Sequence, residues 1–234
     1  MTEVASFIFA RGGSRELRNK NILNFAGEPL IAWTIKQALA NARIKRVIVS
    51  TDSTEIAEIS KSFGAEVPFL RPPELATDTS SEILSWKHAL NYLNKTEGRV
   101  PEIFVSLPCT APLRSQEDIT RNLECLVESG GDLVLSVTPS QRSPYFNMVH
   151  LQPDGLVSLV IDSGGSYTRR QEVPLTYDVT TVAYSAKSSY ILETTSLLSG
   201  RVYASIVDQE RAIDIDNLLD FQFAEYLFKK SGRQ

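Results

Sequence analysis

The stretch Val4-Ala5-Ser6-Phe7-Ile8-Phe9-Ala10-Arg11-Gly12-Gly13-Ser14-Arg15-Glu16-Leu17-Arg18-Asn19-Lys20-Asn21 decides how this chain is read. Val4–Ala10 is a short apolar run of β-strand type. Two glycines, Ser14 and the cations Arg11, Arg15, Arg18 and Lys20 follow it directly. Backbone N–H groups of a glycine-containing loop can all turn toward one anion. Arg and Lys neutralise the rest of its charge, Arg through a bidentate fork. A strand running into such a loop points to polyphosphate binding, with a solvated basic loop as the alternative. The loop lacks the Gly-x-Gly-x-x-Gly of a dinucleotide site and the Gly-Lys-Ser/Thr of a Walker A loop.

The cationic density is local. Among 234 residues, 24 Lys and Arg stand against 28 Asp and Glu, a net charge of −4, which argues against general nucleic-acid binding. With 42% hydrophobic and 22% charged residues, the chain reads as one globular domain over 1–234. Cys109 and Cys125 are too few and too far apart for a disulfide framework or a zinc site, so a reducing, cytoplasmic setting is expected. Met1-Thr2-Glu3-Val4 has no basic n-region, and no apolar run approaches the ~20 residues of a membrane span; neither a signal peptide nor a membrane partner is expected.

Outward from the opening strand, strands and helices alternate. Helical spacing marks Pro29–Ala42, and Arg46–Ser50 is a β-branched strand. Asp52 is expected to cap a helix running to Phe63, stopped by Gly64. A short strand is expected at Glu66–Leu70, a helix over Ser80–Leu93 capped by Thr79 or Ser80, a strand at Ile103–Leu107, a helix over Ser115–Val127 and a strand at Leu133–Thr138. This order predicts an α/β fold with a mostly parallel sheet and helices on both faces, ligands sitting beyond the carboxyl ends of the strands. Residues 140–185 switch to hairpin-like alternation and read as an inserted β-rich lobe. Arg201–Val207 reads as a further strand and Leu218–Lys230 as a terminal amphipathic helix.

Asp214 and Asp216, in Ile213-Asp214-Ile215-Asp216, share one face if that segment is extended, so both can reach one cation. Two carboxylates plus substrate phosphates make a Mg²⁺ site. The competing reading is a pair of helix-capping acids. Arg71–Asp78 is a second cationic loop, stiffened by Pro72 and Pro73, and Pro108–Arg114 a third. Cys109 reads as an inert buried thiol, and His88 and His150 are isolated.

Taken in order, these segments resemble the acylneuraminate cytidylyltransferases, the CMP-sialic acid synthetase family. The shared segments are Ala10-Arg11-Gly12-Gly13-Ser14-Arg15 with Lys20-Asn21, Ser50-Thr51-Asp52, Arg71–Asp78, Pro112-Leu113-Arg114 and Ile213–Asp216. The resemblance implies a Rossmann-like three-layer α/β/α nucleotidyltransferase whose β-lobe pairs subunits into a homodimer. It implies transfer of CMP from CTP to the anomeric hydroxyl of a nonulosonic, 2-keto-3-deoxy sugar acid, with release of pyrophosphate. Arg11, Gly12, Gly13, Ser14 and Lys20 would hold the triphosphate; Asn21 and Arg71 would help select cytosine. Lys20, Arg11, Asp214 and Asp216 would carry catalysis, the two aspartates as ligands of Mg²⁺ or Mn²⁺. On the sugar side stand Pro108, Thr110, Arg170 and Tyr184, with Arg170 as the carboxylate partner.

The departures from the family pattern also fall on the sugar side. Pro108 stands where sialic-type members carry Gln, and Asp178 where they carry Arg. Losing polar partners there changes acceptor discrimination strongly. A Kdo-type cytidylyltransferase and a non-catalytic nucleotide-binding protein stand as alternatives. An oxidoreductase is disfavoured by the missing glycine fingerprint.

Overall fold

Alternate side chains of the opening strand, β1 (Val4–Phe9), leave on opposite faces: Val4 and Ile8 enter one buried cluster, Ala5 and Phe7 another. A computed structural model describes residues 2–13, 16–77, 79–162, 164, 167 and 169–232. After β1 come a small ladder of β2 (Asn24–Phe25) and β3 (Glu28–Pro29), α1 (Leu30–Leu39), β4 (Arg46–Ser50), α2 (Thr54–Ser62) and α3 (Glu82–Glu97). Next are β5 (Ile103–Ser106), α4 (Gln116–Ser129), β6 (Leu133–Pro139) and a hairpin of β7 (Val149–Leu151) and β8 (Val157–Leu159). The described chain closes with β9 (Tyr177–Lys187), α5 (Ser188–Glu193), β10 (Val202–Ile206) and α6 (Leu218–Lys230).

Six strands form the central sheet in the order β10-β6-β9-β5-β1-β4. The pairs β1–β4, β1–β5 and β6–β10 are parallel, and β9 runs antiparallel between β5 and β6. Helices α1, α2 and α4 pack through Ile31, Ile35, Ile56, Ile119 and Leu123 on one face; α3 and α5 pack through Trp86, Leu90 and Ile191 on the other. The expected three-layer α/β/α arrangement is what the chain adopts. The chain passes from β1 outward to β4 and then back across β1 to β5. That reversal opens a crevice at the carboxyl ends of β1 and β5, where α/β sheets bind ligands.

A third apolar cluster ties the two ends of the chain together. Phe25, Leu30 and Trp33 pack against Phe221, Ala224 and Phe228 of α6, and Ile215 is fully buried among them. Phe25 meets Phe221 edge-on at 5.4 Å, and Trp33 meets Phe228 at 4.5 Å. While Ile215 is buried here, its neighbours Asp214 and Asp216 are half-buried and exposed.

Several local expectations are corrected. The end of the presumed β-lobe, Tyr177–Lys187, is a strand of the central sheet, so the lobe between β6 and β9 is shorter than 140–185. Its alternating pattern was real, but an antiparallel sheet strand and a hairpin strand share that period. Glu66 and Leu70 make isolated parallel bridges to Ile48 and Thr51 rather than a strand. Ser53, not Asp52, caps α2, its hydroxyl accepting from the Ile56 N–H at 3.3 Å. Ser81 precedes α3, where Thr79 or Ser80 was expected.

Candidate active site

The loops after β1 and β5 meet the Ile213–Asp216 segment in the crevice. Gly12 donates its N–H to Asp52 Oδ1 at 2.9 Å. Freed from capping, Asp52 fixes the glycine loop instead. A Cβ on Gly12 would stand 3.2 Å from Ser53 Cβ, so glycine permits the close approach. Among the described residues, no atom outside the chain neighbours lies within 4 Å of where a Gly13 Cβ would be. Asn21 is buried and donates from Nδ2 to the Arg11 carbonyl at 3.1 Å, closing the loop on itself.

Lys20 joins this loop to the carboxylates. Its nearly buried ammonium donates to the Ile215 carbonyl and lies 3.5 Å from Asp216 Oδ1. The Ile215 N–H in turn donates to the Thr110 carbonyl at 2.8 Å, so the aspartate segment is pinned to the β5 loop as well. The capping reading of the two acids does not hold. Asn217 caps α6, accepting from the Leu219 and Asp220 N–H groups, while Asp220 Oδ2 accepts from the N–H groups of Asp216 and Asn217. Asp214 and Asp216 are thereby left free of capping duty. Upstream, Arg211 forks onto the buried Asp118 at 2.9 and 3.1 Å and holds the approach to the segment.

The two carboxylates differ in environment. Asp216 is largely open to solvent. Asp214 is half-buried, and burial pushes its carboxyl above the usual range; Asp216 adds to the rise, while Thr110, Thr181 and Lys20 oppose it. Its Oδ1 is buried without a hydrogen-bond partner. Thr181 reaches this point because the β6–β9 register breaks after Leu135: Tyr184 pairs with Leu135, yet Thr180 pairs with Ser136. The irregularity turns Thr181 toward Thr110, 3.3 Å between hydroxyl oxygens, as bulges beside active sites commonly re-aim side chains.

Arg114 makes the β5 loop rigid. It is fully buried and donates to the carbonyls of Val182 (2.8 Å) and Pro108 and to the side chains of Thr34 (3.1 Å) and Gln37 (3.3 Å). Burial pulls its pKa down to about 10. Burial likewise pushes the Cys109 thiol up to about 12, in keeping with an inert cysteine.

Most of the residues expected on the nucleotide side share one cleft of about 310 Å³. Arg11, Lys20, Asn21 and Thr110 line it from the β1 and β5 loops, and Arg71 with Leu75, Thr77, Ser80, Glu82 and Ser85 from the second cationic loop and α3. Thr110, expected on the sugar side, therefore lies in the same cleft as Arg11, Lys20 and Asn21. Arg71 is buried, and desolvation lowers its pKa, partly offset by Asp52. Tyr184 is packed in the core, its ring 5.7 Å from that of Trp86; burial raises its phenol, and Glu82 and Asp214 raise it further. Pro108 is half-buried at the end of β5. Asp178 and Arg142 line a separate hollow of about 400 Å³ that reaches Ala212. Ser14 and the Arg170 side chain lie outside the described residues.

The sequence reading missed Glu82, Thr181 and the anchoring role of Asp52. Glu82 is hidden because an acid in a helix's first turn is ordinary. Thr181 is hidden because only the register break aims it.

Comparison with known proteins identifies the family. The profile of the cytidylyltransferase family matches residues 5–230. Post-translational flagellin modification protein B of Campylobacter coli is 36% identical over 100% of this chain and 98% of its own length. CMP-N,N'-diacetyllegionaminic acid synthase of Campylobacter jejuni is 35% identical over 97% of this chain and 95% of its own. Among solved structures, CMP:2-keto-3-deoxy-manno-octonic acid synthetase complexed with CTP shares the fold, with a TM-score of 0.73 at 16% identity, covering 98% of this chain and 100% of that one. Since the match runs through both halves of the sheet and both ends of the cleft, the chain belongs to the cytidylyltransferase family and is a nucleotidyltransferase.

Proposed function

We propose that the protein transfers CMP from CTP to the anomeric hydroxyl of a nonulosonic sugar acid and releases pyrophosphate, with a diacetylated, legionaminic-type acid as the first acceptor to test. The carrying observation is the meeting of the cationic first loop with the Asp214/Asp216 segment through Lys20. The legionaminic synthase similarity supports the acceptor class.

Nucleotidyl transfer needs in-line approach of the acceptor hydroxyl and neutralisation of charge on the attacked phosphate and the leaving pyrophosphate. The loop after β1, kept in place by the Gly12–Asp52 bond, would hold the triphosphate through Arg11, and Lys20, fixed by the Ile215 carbonyl, would present its ammonium to it. The Asp214 and Asp216 carboxylates fit Mg²⁺ or Mn²⁺: their donors are hard oxygens, one buried atom lacks a partner, and the other group is open. Among the described residues no cluster of three or more His, Cys, Asp or Glu is placed to hold a metal, so phosphate oxygens and water would complete the shell. Such an ion would neutralise phosphate charge and orient the α-phosphate.

The lobe carries exposed apolar side chains at Val149, Leu151, Leu156, Val157 and Leu175, which supports subunit pairing through it. No helix among the described residues is long and apolar enough to cross a membrane. We place the enzyme in the cytoplasm, where CTP is made.

Pyrophosphate release from CTP and Mg²⁺ over a panel of legionaminic, pseudaminic, N-acetylneuraminic and octulosonic acids tests the reading. Release with a nonulosonic acid is expected. Release with the octulosonic acid alone would move the enzyme to the Kdo type, and no release with any acid would end the proposal. Sedimentation velocity on the purified chain tests the homodimer.

A further inference from the structure

Strand β9 carries more residues than its partner β6 can pair. Tyr184 pairs with Leu135 and Thr180 with Ser136, adjacent residues of β6, so Thr181, Val182 and Ala183 stand outside the β6–β9 ladder. Such a break frees backbone carbonyls, and in a buried strand each needs a new donor. Side chains of other elements supply them. Arg114 Nε donates to the Val182 carbonyl at 2.8 Å. Ser136 Oγ at 2.9 Å and Asn122 Nδ2 at 3.3 Å donate to the Ala183 carbonyl. Thr180 Oγ1 donates back to the Ser136 carbonyl at 3.3 Å. Arg114, Asn122, Ser136 and Thr180 are all buried, and a satisfied buried polar network of this kind holds the bulge in one conformation.

What the bulge aims is the Thr181 hydroxyl. Thr110 Oγ1, on the loop after β5, donates to it at 3.3 Å. The Thr110 carbonyl accepts from the N–H of Ile215, the residue next to Asp214, at 2.8 Å. The two hydroxyls therefore meet beside the Asp214 carboxylate. Burial raises the Asp214 pKa, and side-chain hydrogen bonding from Thr110 and from Thr181 opposes that rise. Asp214 Oδ1 is nevertheless buried without a hydrogen-bond partner. A purely structural bulge needs its carbonyls satisfied, which Arg114, Asn122 and Ser136 accomplish. It does not need a half-buried hydroxyl delivered to a second hydroxyl beside an acid with one oxygen left open.

We propose that Thr181, paired with Thr110, is a positioning residue for Asp214: the β9 bulge holds its hydroxyl where it fixes the carboxylate with one oxygen left open for a divalent cation. This rests on the reading of Asp214 and Asp216 as the Mg²⁺ or Mn²⁺ pair. Hydrogen-bond partners of a ligating carboxylate orient it, and losing one typically costs about 10- to 100-fold in metal affinity or activity. Thr181 acts through Asp214, so its effect is confined to the metal-dependent part of nucleotide binding and turnover.

The test is calorimetric binding of CTP to the full chain with Mn²⁺ and with EDTA, for wild type, Thr181→Val, Thr181→Ser and Asp214→Asn, with melting temperatures as fold control. Wild type is expected to bind CTP more tightly with Mn²⁺. Thr181→Val keeps the shape and removes the hydroxyl; it is expected to lose about 10-fold or more of that gain, with its affinity in EDTA at the wild-type level and kcat lowered. Thr181→Ser keeps the hydroxyl and is expected to retain most of the gain. Thr110→Val serves in the same way should Thr181→Val not fold. If the folded valine variant keeps the wild-type gain, or loses affinity equally with Mn²⁺ and with EDTA, or is matched in its loss by Thr181→Ser, Thr181 does not position Asp214 and this proposal falls alone. If Asp214→Asn keeps the wild-type gain, or wild type shows none, the metal reading of the pair falls and takes this proposal with it.

Discussion

Lys20 Nζ lies 3.5 Å from Asp216 Oδ1, a contact between the first loop of the chain and the segment that precedes its last helix. Lys20 is nearly buried while Asp216 is mostly exposed, so the contact orients the lysine more than it stabilises the fold. Lys20→Ala is expected to lower kcat/KM about 100-fold or more, as loss of one preorganised charge donor does. The melting temperature should change little. Steady-state pyrophosphate release with thermal unfolding of the same preparation checks both halves.

Asp216→Asn is expected to abolish turnover and leave the fold intact, because Asp216 is exposed and the α6 cap belongs to Asn217 and Asp220. Asp214→Asn should also lose turnover, and both should need far more Mg²⁺ or Mn²⁺ for any residual rate. Metal titration of activity, with circular dichroism as control, decides it; near-normal activity of Asp216→Asn would remove it from the metal set.

Asp52→Ala removes the acceptor of the Gly12 N–H. A lost hydrogen bond of this kind costs about 1 kcal/mol of stability. The larger effect is expected on nucleotide binding, with KM for CTP rising about tenfold as the loop loses its fixed aim. An unchanged KM would return Asp52 to a purely local role.

Arg114→Ala leaves the Val182 and Pro108 carbonyls without their donor in a fully buried site. Destabilisation of about 3 kcal/mol or more is expected by urea unfolding, the usual range for stranding several buried polar groups. Arg114→Lys should recover little of it, because one ammonium cannot span the four acceptors the guanidinium serves.

Cys109, with its thiol pushed up to about 12 and almost no exposed surface, is expected to resist alkylation in the native protein at pH 8. Cys125, only half-buried, should react first. Mass spectrometry of peptides after iodoacetamide treatment, with and without denaturant, reads out both.

Each large element was legible because its pattern is local. The alternation in Val4–Phe9 and the helical spacing after Pro29 follow from backbone geometry alone. Caps were less legible: Asp52, Ser53, Ser80 and Ser81 are all competent, and neighbours choose among them. Tyr177–Lys187 was misplaced because strand period says nothing about which sheet a strand joins.

By itself the sequence determined the α/β order of elements, the cationic loop after β1 and the i, i+2 spacing of Asp214 and Asp216, since each rests on residue type and spacing along a few residues. Only the tertiary structure decided that Lys20 meets Asp216, that Asp52 holds Gly12, and that Glu82 faces the cleft with Arg71. The first two contacts join segments far apart in the chain, and the Lys20 contact goes with the burial of Ile215, between the two aspartates, in the cluster of Phe25 and Phe221. Packing of remote surfaces has no signature in any one stretch of sequence.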